Sequence, residues 1–478
     1  MYHISDLKKF SKCPRLYFLD VNNKNVFQPY LRSDESYIDL LKKKLNVNEC
    51  FHGKVGDTNE AFFNNQNYTW YENTRFEIGE LRIRIPLMKK SDDGFDIFFL
   101  YYGTCVKDID FFSYRINVEV LEKLGLIVKD IYVVYINGDY VYSKEIDPDN
   151  LFVVTNRINN TRIINMILDS VVDYNEIIDK INSSSLDNLE AVKTRMCHLR
   201  GVCEYYNDCF KDERSLDDDS ILTLVSSQYK NKMYEDGIVK LKDVDLDSLE
   251  GNRVQYAQVV ASRNGGLFCD KYNLKEWLNT IKGPISFIDF EWDRYLIPAY
   301  EKMKPLDVIP FEFALYVDDG RSELKHMTFI SSGDCRREFV EELIKSLPKE
   351  GTILAYNAKG AEVLRIKELM EIFPEYKDEL ENIVNRFVDL ATPFIEGIVY
   401  DIRMGGVYSL KKLVSVVSNK TYEDLDIDDG MKAVYSWRSI DKGIDEDEDK
   451  TIDSLKKYCS LDAYALYLVY KWLVKLVE

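Results

Sequence analysis

An α/β layer architecture spread over two or three domains is what the sequence predicts, and three observations carry that reading. The chain has 478 residues, too many for one average domain. Between residues 68 and 105 the pattern turns to consecutive strands, YTWYENTRFEI, ELRIRIPLM and FDIFFLYYGTCV. After Gly283-Pro284 strand patterns alternate with helical ones, as when helices are layered on a sheet.

The elements follow in chain order. Residues 1–30 read as a helix start and then a mixed segment, ahead of the strands just quoted. Residues 113–126 look helical, and DIYVVYINGDYVYS reads as a β-hairpin turning at Asn137-Gly138. Residues 160–192 are helical, and the cysteine segment MCHLRGVCEYYNDCF comes next. The polar run SLDDDS at 215–220 marks a boundary, and 220–280 looks like a mainly helical connector. ISFIDFEW, FEFALYV and KHMTFISS are strands, CRREFVEELIKSL is an amphipathic helix, and TILAYN is a strand leading into a long helical stretch from Glu362. The chain ends in a helix over roughly 451–477. Domains are therefore expected at 1–215 and 283–478, joined by a connector at 216–282. No repeat is visible, and the acidic run Asp445–Asp449 reads as a solvated loop.

Composition narrows the classes. Hydrophobic residues make 46% and charged residues 30%, an ordinary globular balance, and the low Gly (22) and Pro (11) counts remove collagen-like and linker-rich readings. No apolar run reaches membrane-spanning length, and MYHISDLKKF has no apolar signal core, so a cytoplasmic protein without a membrane partner is expected. With 63 Lys+Arg against 82 Asp+Glu the net charge is −19, which repels nucleic acid at long range. Such a partner must meet a local basic surface or a metal-filled site. The 33 tyrosines and 24 phenylalanines offer stacking platforms, though most serve packing. Nine cysteines, an odd number without a signal sequence, argue against a disulfide framework.

The chemistry is concentrated in carboxylates. Asp289 and Glu291 stand two apart in a strand, so both leave one face of the sheet among apolar neighbours. Two carboxylates side by side are costly to bury, and a divalent cation removes that cost. Glu362 falls at a helix start, and Tyr458 and Asp462 lie four apart on one face of the last helix. Four carboxylates with a tyrosine one turn before the last fit a two-metal site, with Mg²⁺ or Mn²⁺ as the hard cations suited to oxygen ligands.

DFE, the YN…E segment and YxxxD resemble the three exonuclease motifs of the DnaQ-like DEDD superfamily, tyrosine subtype, on a ribonuclease-H-like fold. The text from FIDFEW through IPFEFALYV, AYNAKGAEVLRIKEL, FPEYKDELENIVNRFVDLATPF and DIRMGGVYSLKKLV looks like a bacterial family. That family joins a RecB-like domain to a DnaQ-like exonuclease domain. The resemblance implies that Asp289, Glu291, Glu362 and Asp462 hold metal and that Tyr458 orients the attacking water. Glu362 departs from the Asp usual at its motif. Asp389 is expected to cap or position a helix. Arg403, Lys411 and Lys412 are either phosphate contacts or solvated surface, and Gly405-Gly406 is either a close approach to substrate or a plain turn.

The opening YHISDLKKFSKCPRLYFLD resembles RecB-like nucleases of the PD-(D/E)XK type. By that resemblance Cys13 joins Cys197, Cys203 and Cys209 in holding a [4Fe–4S] cluster; zinc or no metal are the alternatives. The remaining cysteines read as free thiols. Alignment on the family pattern puts Pro86, Phe99 and Tyr101 where the acid, acid and lysine of such nucleases belong, so this domain is expected to be catalytically inactive. Lys89 and Lys90 are expected in a solvated turn. His3, His52, His198 and His326 are scattered and read as structural.

The resemblance thus implies a metal-dependent 3′–5′ exonuclease acting on single-stranded DNA or RNA ends. Its N-terminal domain would be kept for binding nucleic acid, a protein partner or the exonuclease itself. The rival expectation is a non-enzymatic scaffold in which both nuclease folds are relics. Convergence of the carboxylates separates the two.

Overall fold

The computed structural model describes residues 1–22, 36–198, 203–210, 217–249 and 251–478. Residues 23–30 of the opening segment, part of the cysteine segment and the first two residues of SLDDDS lie outside them. The chain forms two compact units, one of residues 1–209 with 294–307, the other of 210–293 with 308–478. Both are mixed α/β.

The first unit is built on one sheet. Its strands are β1 (Tyr2–His3), β2 (Cys50–His52), β3 (Trp70–Ile78), β4 (Leu81–Ser91), β5 (Gly94–Leu100), β6 (Val128–Ile136) and β7 (Phe152–Thr155). The spatial order is β2-β3-β4-β5-β6-β7, with β1 pairing beside β4. In β4, Leu81, Ile83, Ile85 and Leu87 alternate with Arg82, Arg84 and Pro86, and all four apolar residues are buried. This period of two matches the side-chain alternation of a strand. β3, β4 and β5 form an antiparallel meander, and the helix Phe111–Lys123 carries the chain across to β6, parallel to β5. That helix buries Ile116, Val120 and Leu121 in one core, while Tyr37, Leu40 and Leu41 of the helix Tyr37–Lys44 enter a second. Leu296 and Ile297 of the 294–307 excursion join the second core.

The expected hairpin at Asn137-Gly138 is not formed. Its second strand is displaced to β7, which pairs antiparallel with β6. Asn137 instead accepts the Asp139 N–H in a local turn, Tyr140 buries its ring, and Tyr142 exchanges backbone hydrogen bonds with residues 302 and 303. The helical stretch expected over 160–192 is two helices, Thr161–Leu168 and Tyr174–Ser183, each capped by a side chain of the preceding residue, Asn160 or Asp173. Lys89 and Lys90 lie in β4, not in a turn. Lys89 Nζ stands 5.4 Å from the Trp70 ring centroid, and Lys90 Nζ donates to the Gln66 carbonyl.

The second unit holds a five-stranded sheet and a two-stranded one. After β8 (Leu267–Cys269) come β9 (Ile285–Arg294), β10 (Val308–Asp318), β11 (Lys325–Ile330), β12 (Ile353–Ala355), β13 (Phe387–Asp389) and β14 (Val399–Asp401). The five-stranded order is β11-β10-β9-β12-β13, and β8 pairs with β14. β10 and β11 are antiparallel, whereas β12 runs parallel to both β9 and β13. Nearly every residue of β10 is buried, as expected of a strand covered on both faces. Phe339, Val340 and Leu343 of the helix Arg336–Ser346 share a core with Phe313 and Leu315. Ala314 meets Cys459 and Ala463 of the terminal helix Glu448–Lys475, small side chains that let helix and sheet approach closely. The acidic run is less idle than a solvated loop. Asp445 accepts from Ser439 and Thr451, and Asp447 caps the terminal helix by accepting the Lys450 N–H. No helix among the described residues is long and apolar enough to cross a membrane.

Candidate active site

β9 places Asp289, Glu291 and Asp293 on one face by simple alternation. Asp293, overlooked by motif reading, is neutralised by a two-pronged ion pair with Arg438. Among the described residues the other two have no such ion pair. The terminal helix supplies Asp462, and carboxylate oxygens of Asp289, Glu291 and Asp462 all lie within 4.8 Å of one another. Asp462 is buried, while Asp289 and Glu291 keep partial access to solvent.

All three carboxyls are pushed above their usual range, in each case first by burial. For Asp289 the next causes are the charges of Asp462 and Glu291, and for Glu291 those of Asp462 and Glu312. Without a cation the trio can only hold protons or repel. This is the chemistry of a divalent-cation site with oxygen ligands.

Glu362 begins the helix Glu362–Ile372, as the sequence predicts, but lies outside the mutual 4.8 Å of the trio. Its charge still raises Asp289, and one of its oxygens is buried without a hydrogen-bond partner. Asp389 accepts the N–H groups of Asn357 and Ala391, so it fixes the loop leading to Glu362. Tyr458 lies in the same electrostatic neighbourhood. Burial, then the charges of Asp462, Glu291 and Asp289, keep its phenol protonated.

Two participants escaped sequence reading, and a third, Lys411, takes a defined place. Tyr422, from an irregular segment, donates its hydroxyl to Asp462, and its ring stands 6.2 Å from that of Tyr458. Glu312 is fully buried in β10 with neither oxygen hydrogen-bonded. A lone acid inside the apolar run VIPFEFALYV was the available signal. Lys411 sits 5.0 Å and 5.1 Å from the Tyr422 and Tyr458 ring centroids, and its charge offsets the rise at Glu291 and Asp462. It is therefore not mere solvated surface. Arg403 is occupied by Asp401, and Gly406 packs so tightly that a Cβ there would stand 2.1 Å from the Thr223 carbonyl oxygen. That glycine serves internal packing.

Burial pushes Glu312 and Glu362 up to about 8. Each holds a proton in the folded chain that the unfolded chain releases above its ordinary value of 4.5. Their contribution to stability is therefore fully present below that value and is lost as pH rises through about 8. The melting temperature of metal-free protein should fall from about pH 5 to about pH 8. Each carboxyl accounts for at most about 1.4 kcal/mol per pH unit. Glu312→Gln should flatten that slope in thermal melts, and an unchanged slope would remove Glu312 from the account.

In the first unit Pro86 lies in β4, Phe99 is buried and stacked on Tyr114 at 4.3 Å, and Tyr101 packs against the same core. Cys13, Cys197, Cys203 and Cys209 are gathered: burial raises the Cys203 thiol, and the other three cysteines raise it further. The Cys203 N–H donates to the Cys197 carbonyl, and Arg15 Nε donates to Cys209 Sγ at 3.4 Å. His52, read as structural, stands with Cys50 and Glu72 in a second group of possible ligands.

No curated protein and no solved structure matches the chain. Residues 286–409 match the profile of a family described as a domain of unknown function (DUF2779), a span that carries Asp289, Glu291, Glu312 and Glu362 but not Tyr458 or Asp462.

Proposed function

We propose that the second unit is a metal-dependent 3′–5′ exonuclease of the DEDD type, tyrosine subtype, releasing nucleoside monophosphates from single-stranded DNA or RNA. The observation that carries the reading is the convergence of Asp289, Glu291 and Asp462 within 4.8 Å. The strand order β11-β10-β9-β12-β13, with two parallel strands on one side of β9, supports a ribonuclease-H-like fold.

Asp289, Glu291 and Asp462, with Glu362 as the fourth ligand, would hold Mg²⁺ or Mn²⁺, which would supply charge neutralisation and a nucleophilic water for phosphodiester hydrolysis. Tyr458 stays a neutral phenol, so it orients that water through hydrogen bonds and does not act as a base. Tyr422 holds Asp462 in position through its hydroxyl. Lys411 adds a local positive charge where an anionic substrate must approach a chain of net charge −19. The helix Gly430–Asp441 begins beside the site, where a Cβ on Gly430 would lie 3.8 Å from Glu291 Oε2, and its N-terminal partial charge favours a phosphate.

The first unit is read as an inactive PD-(D/E)XK-like scaffold. The antiparallel meander of β3 to β5, followed by a helix and the parallel β6, supports that fold, and the residues at its metal positions cannot hold a hard cation. The four gathered cysteines fit a [4Fe–4S] cluster that ties the two ends of this unit together. A role in DNA repair or anti-phage defence, in the cytoplasm, belongs to the same proposal.

The test is degradation of a 5′-labelled single-stranded oligonucleotide with Mn²⁺, which should shorten from the 3′ end and stop in EDTA. Tyr458→Phe should lower kcat by about 10- to 100-fold with KM within about twofold, because an orienting hydroxyl acts mainly in the transition state. A raised KM at unchanged kcat would contradict that role.

A further inference from the structure

We propose that Cys50, His52 and Glu72 form a binding site for one zinc-class cation, with a coordination position left open to solvent. This site lies in the first unit and is separate from the four gathered cysteines and from the carboxylate trio. It goes beyond the nuclease reading and does not depend on it.

The strands assemble the ligands. Cys50 and His52 stand two apart in β2, so both side chains leave the same face. β2 pairs parallel with β3 in a register that sets His52 opposite Glu72. A sulfur, an imidazole nitrogen and a carboxylate oxygen thereby lie within 4.8 Å of one another. His52 Nδ1 is 3.1 Å from Glu72 Oε2. The edge of a tetrahedron with bonds of about 2.0–2.1 Å is about 3.3 Å, so these two ligands already stand at coordination spacing.

The donor set points to the metal. Thiolate, imidazole and carboxylate together are the ligands zinc accepts, whereas Mg²⁺ and Ca²⁺ take oxygen alone. Three protein ligands are the number found where a fourth position is left for water. Exposure agrees: Glu72 is buried, Cys50 half-buried and His52 exposed, so the group is anchored inside and open outside.

The backbone beside it is distorted. Asn73, next to Glu72, has φ of 52°, a left-handed conformation uncommon for a residue with a side chain. The β3–β4 register passes from Glu72–Leu87 to Thr74–Ile85 and skips Asn73 and Pro86, and proline has no N–H to offer the ladder. Gly53, directly after His52, lies so close that a Cβ on it would stand 2.4 Å from the Asn73 carbonyl oxygen. Its N–H donates to the Glu72 carbonyl. β2 is thus locked onto β3 at the level of the three ligands.

In the metal-free chain Lys42 covers Glu72 at 3.0 Å and also reaches Asp39 at 2.9 Å. A cation at Glu72 leaves Lys42 paired with Asp39, so its charge is not stranded.

The experiment measures zinc per full-length chain by metal analysis after loading and dialysis. It compares the parent with each variant, the four-cysteine set left intact in every sample, so that any zinc held there cancels in the difference. His52→Ala, a change at an exposed position, should remove one equivalent of zinc without changing the melting temperature of the metal-free protein. With Co²⁺ in place of zinc, the thiolate charge-transfer absorbance of the parent should fall in Cys50→Ser by the share that His52→Ala also removes. Equal zinc content with and without His52→Ala would overturn the site, as would zinc binding whose Co²⁺ spectrum is unchanged by Cys50→Ser.

Discussion

Asp289→Ala or Asp462→Ala should abolish nucleic-acid degradation, lowering kcat/KM by at least about 10³-fold, or roughly 4 kcal/mol of transition-state stabilisation. The two side chains come from β9 and from the terminal helix, and with Glu291 they form the only all-carboxylate group of that closeness among the described residues. Removing either leaves too few ligands to hold a cation against water. The same substitutions separate function from folding. Burial and mutual repulsion raise all three carboxyls, so the metal-free trio costs stability at neutral pH. Asp289→Asn, which keeps shape but removes charge, should therefore melt higher than the parent in EDTA and lose the stabilisation that Mn²⁺ gives the parent. Thermal melts with and without Mn²⁺ check both arms. A variant destabilised in EDTA yet still stabilised by Mn²⁺ would show that the metal is held elsewhere.

Cys203→Ser should bleach the visible absorbance of anaerobically purified protein and unfold the first unit. Cys203 is the member of the set that senses Cys197, Cys209 and Cys13 together. A centre on these four cysteines closes a loop spanning nearly the whole unit, and a closure of that length restricts the unfolded chain by several kcal/mol. Serine leaves a three-thiolate site. Iron and sulfide analysis should show loss of the cluster, and limited proteolysis should cut within residues 1–209 while the second unit survives. Colourless parent protein carrying stoichiometric zinc and no iron would replace the cluster with a zinc site.

Much of the carboxylate site was legible because its spacing is periodic. DFE declares a shared face by the period of two, and YxxxD by the turn of a helix. Glu362 was legible as a helix start. What escaped depends on contacts that no local period encodes. Tyr422 reaches Asp462 from an irregular segment, and Glu312 was absorbed into the description of an apolar strand. Cys50, His52 and Glu72 meet only through the register of two strands. The misplaced hairpin has a similar cause. Asn137-Gly138 does turn the chain, but the strand that completes the pair comes after a loop whose Tyr140 is claimed by the core.

An exonuclease of the proposed kind acts from free ends, with all cleavage in the second unit. The most direct measurement gives the protein, with Mn²⁺, a linear and a circular single-stranded DNA of the same sequence in one reaction. The linear strand should be reduced to nucleoside monophosphates while the circle stays closed. Nicking of the circle that persists in the Asp289→Ala protein would contradict that expectation, as would two intact strands.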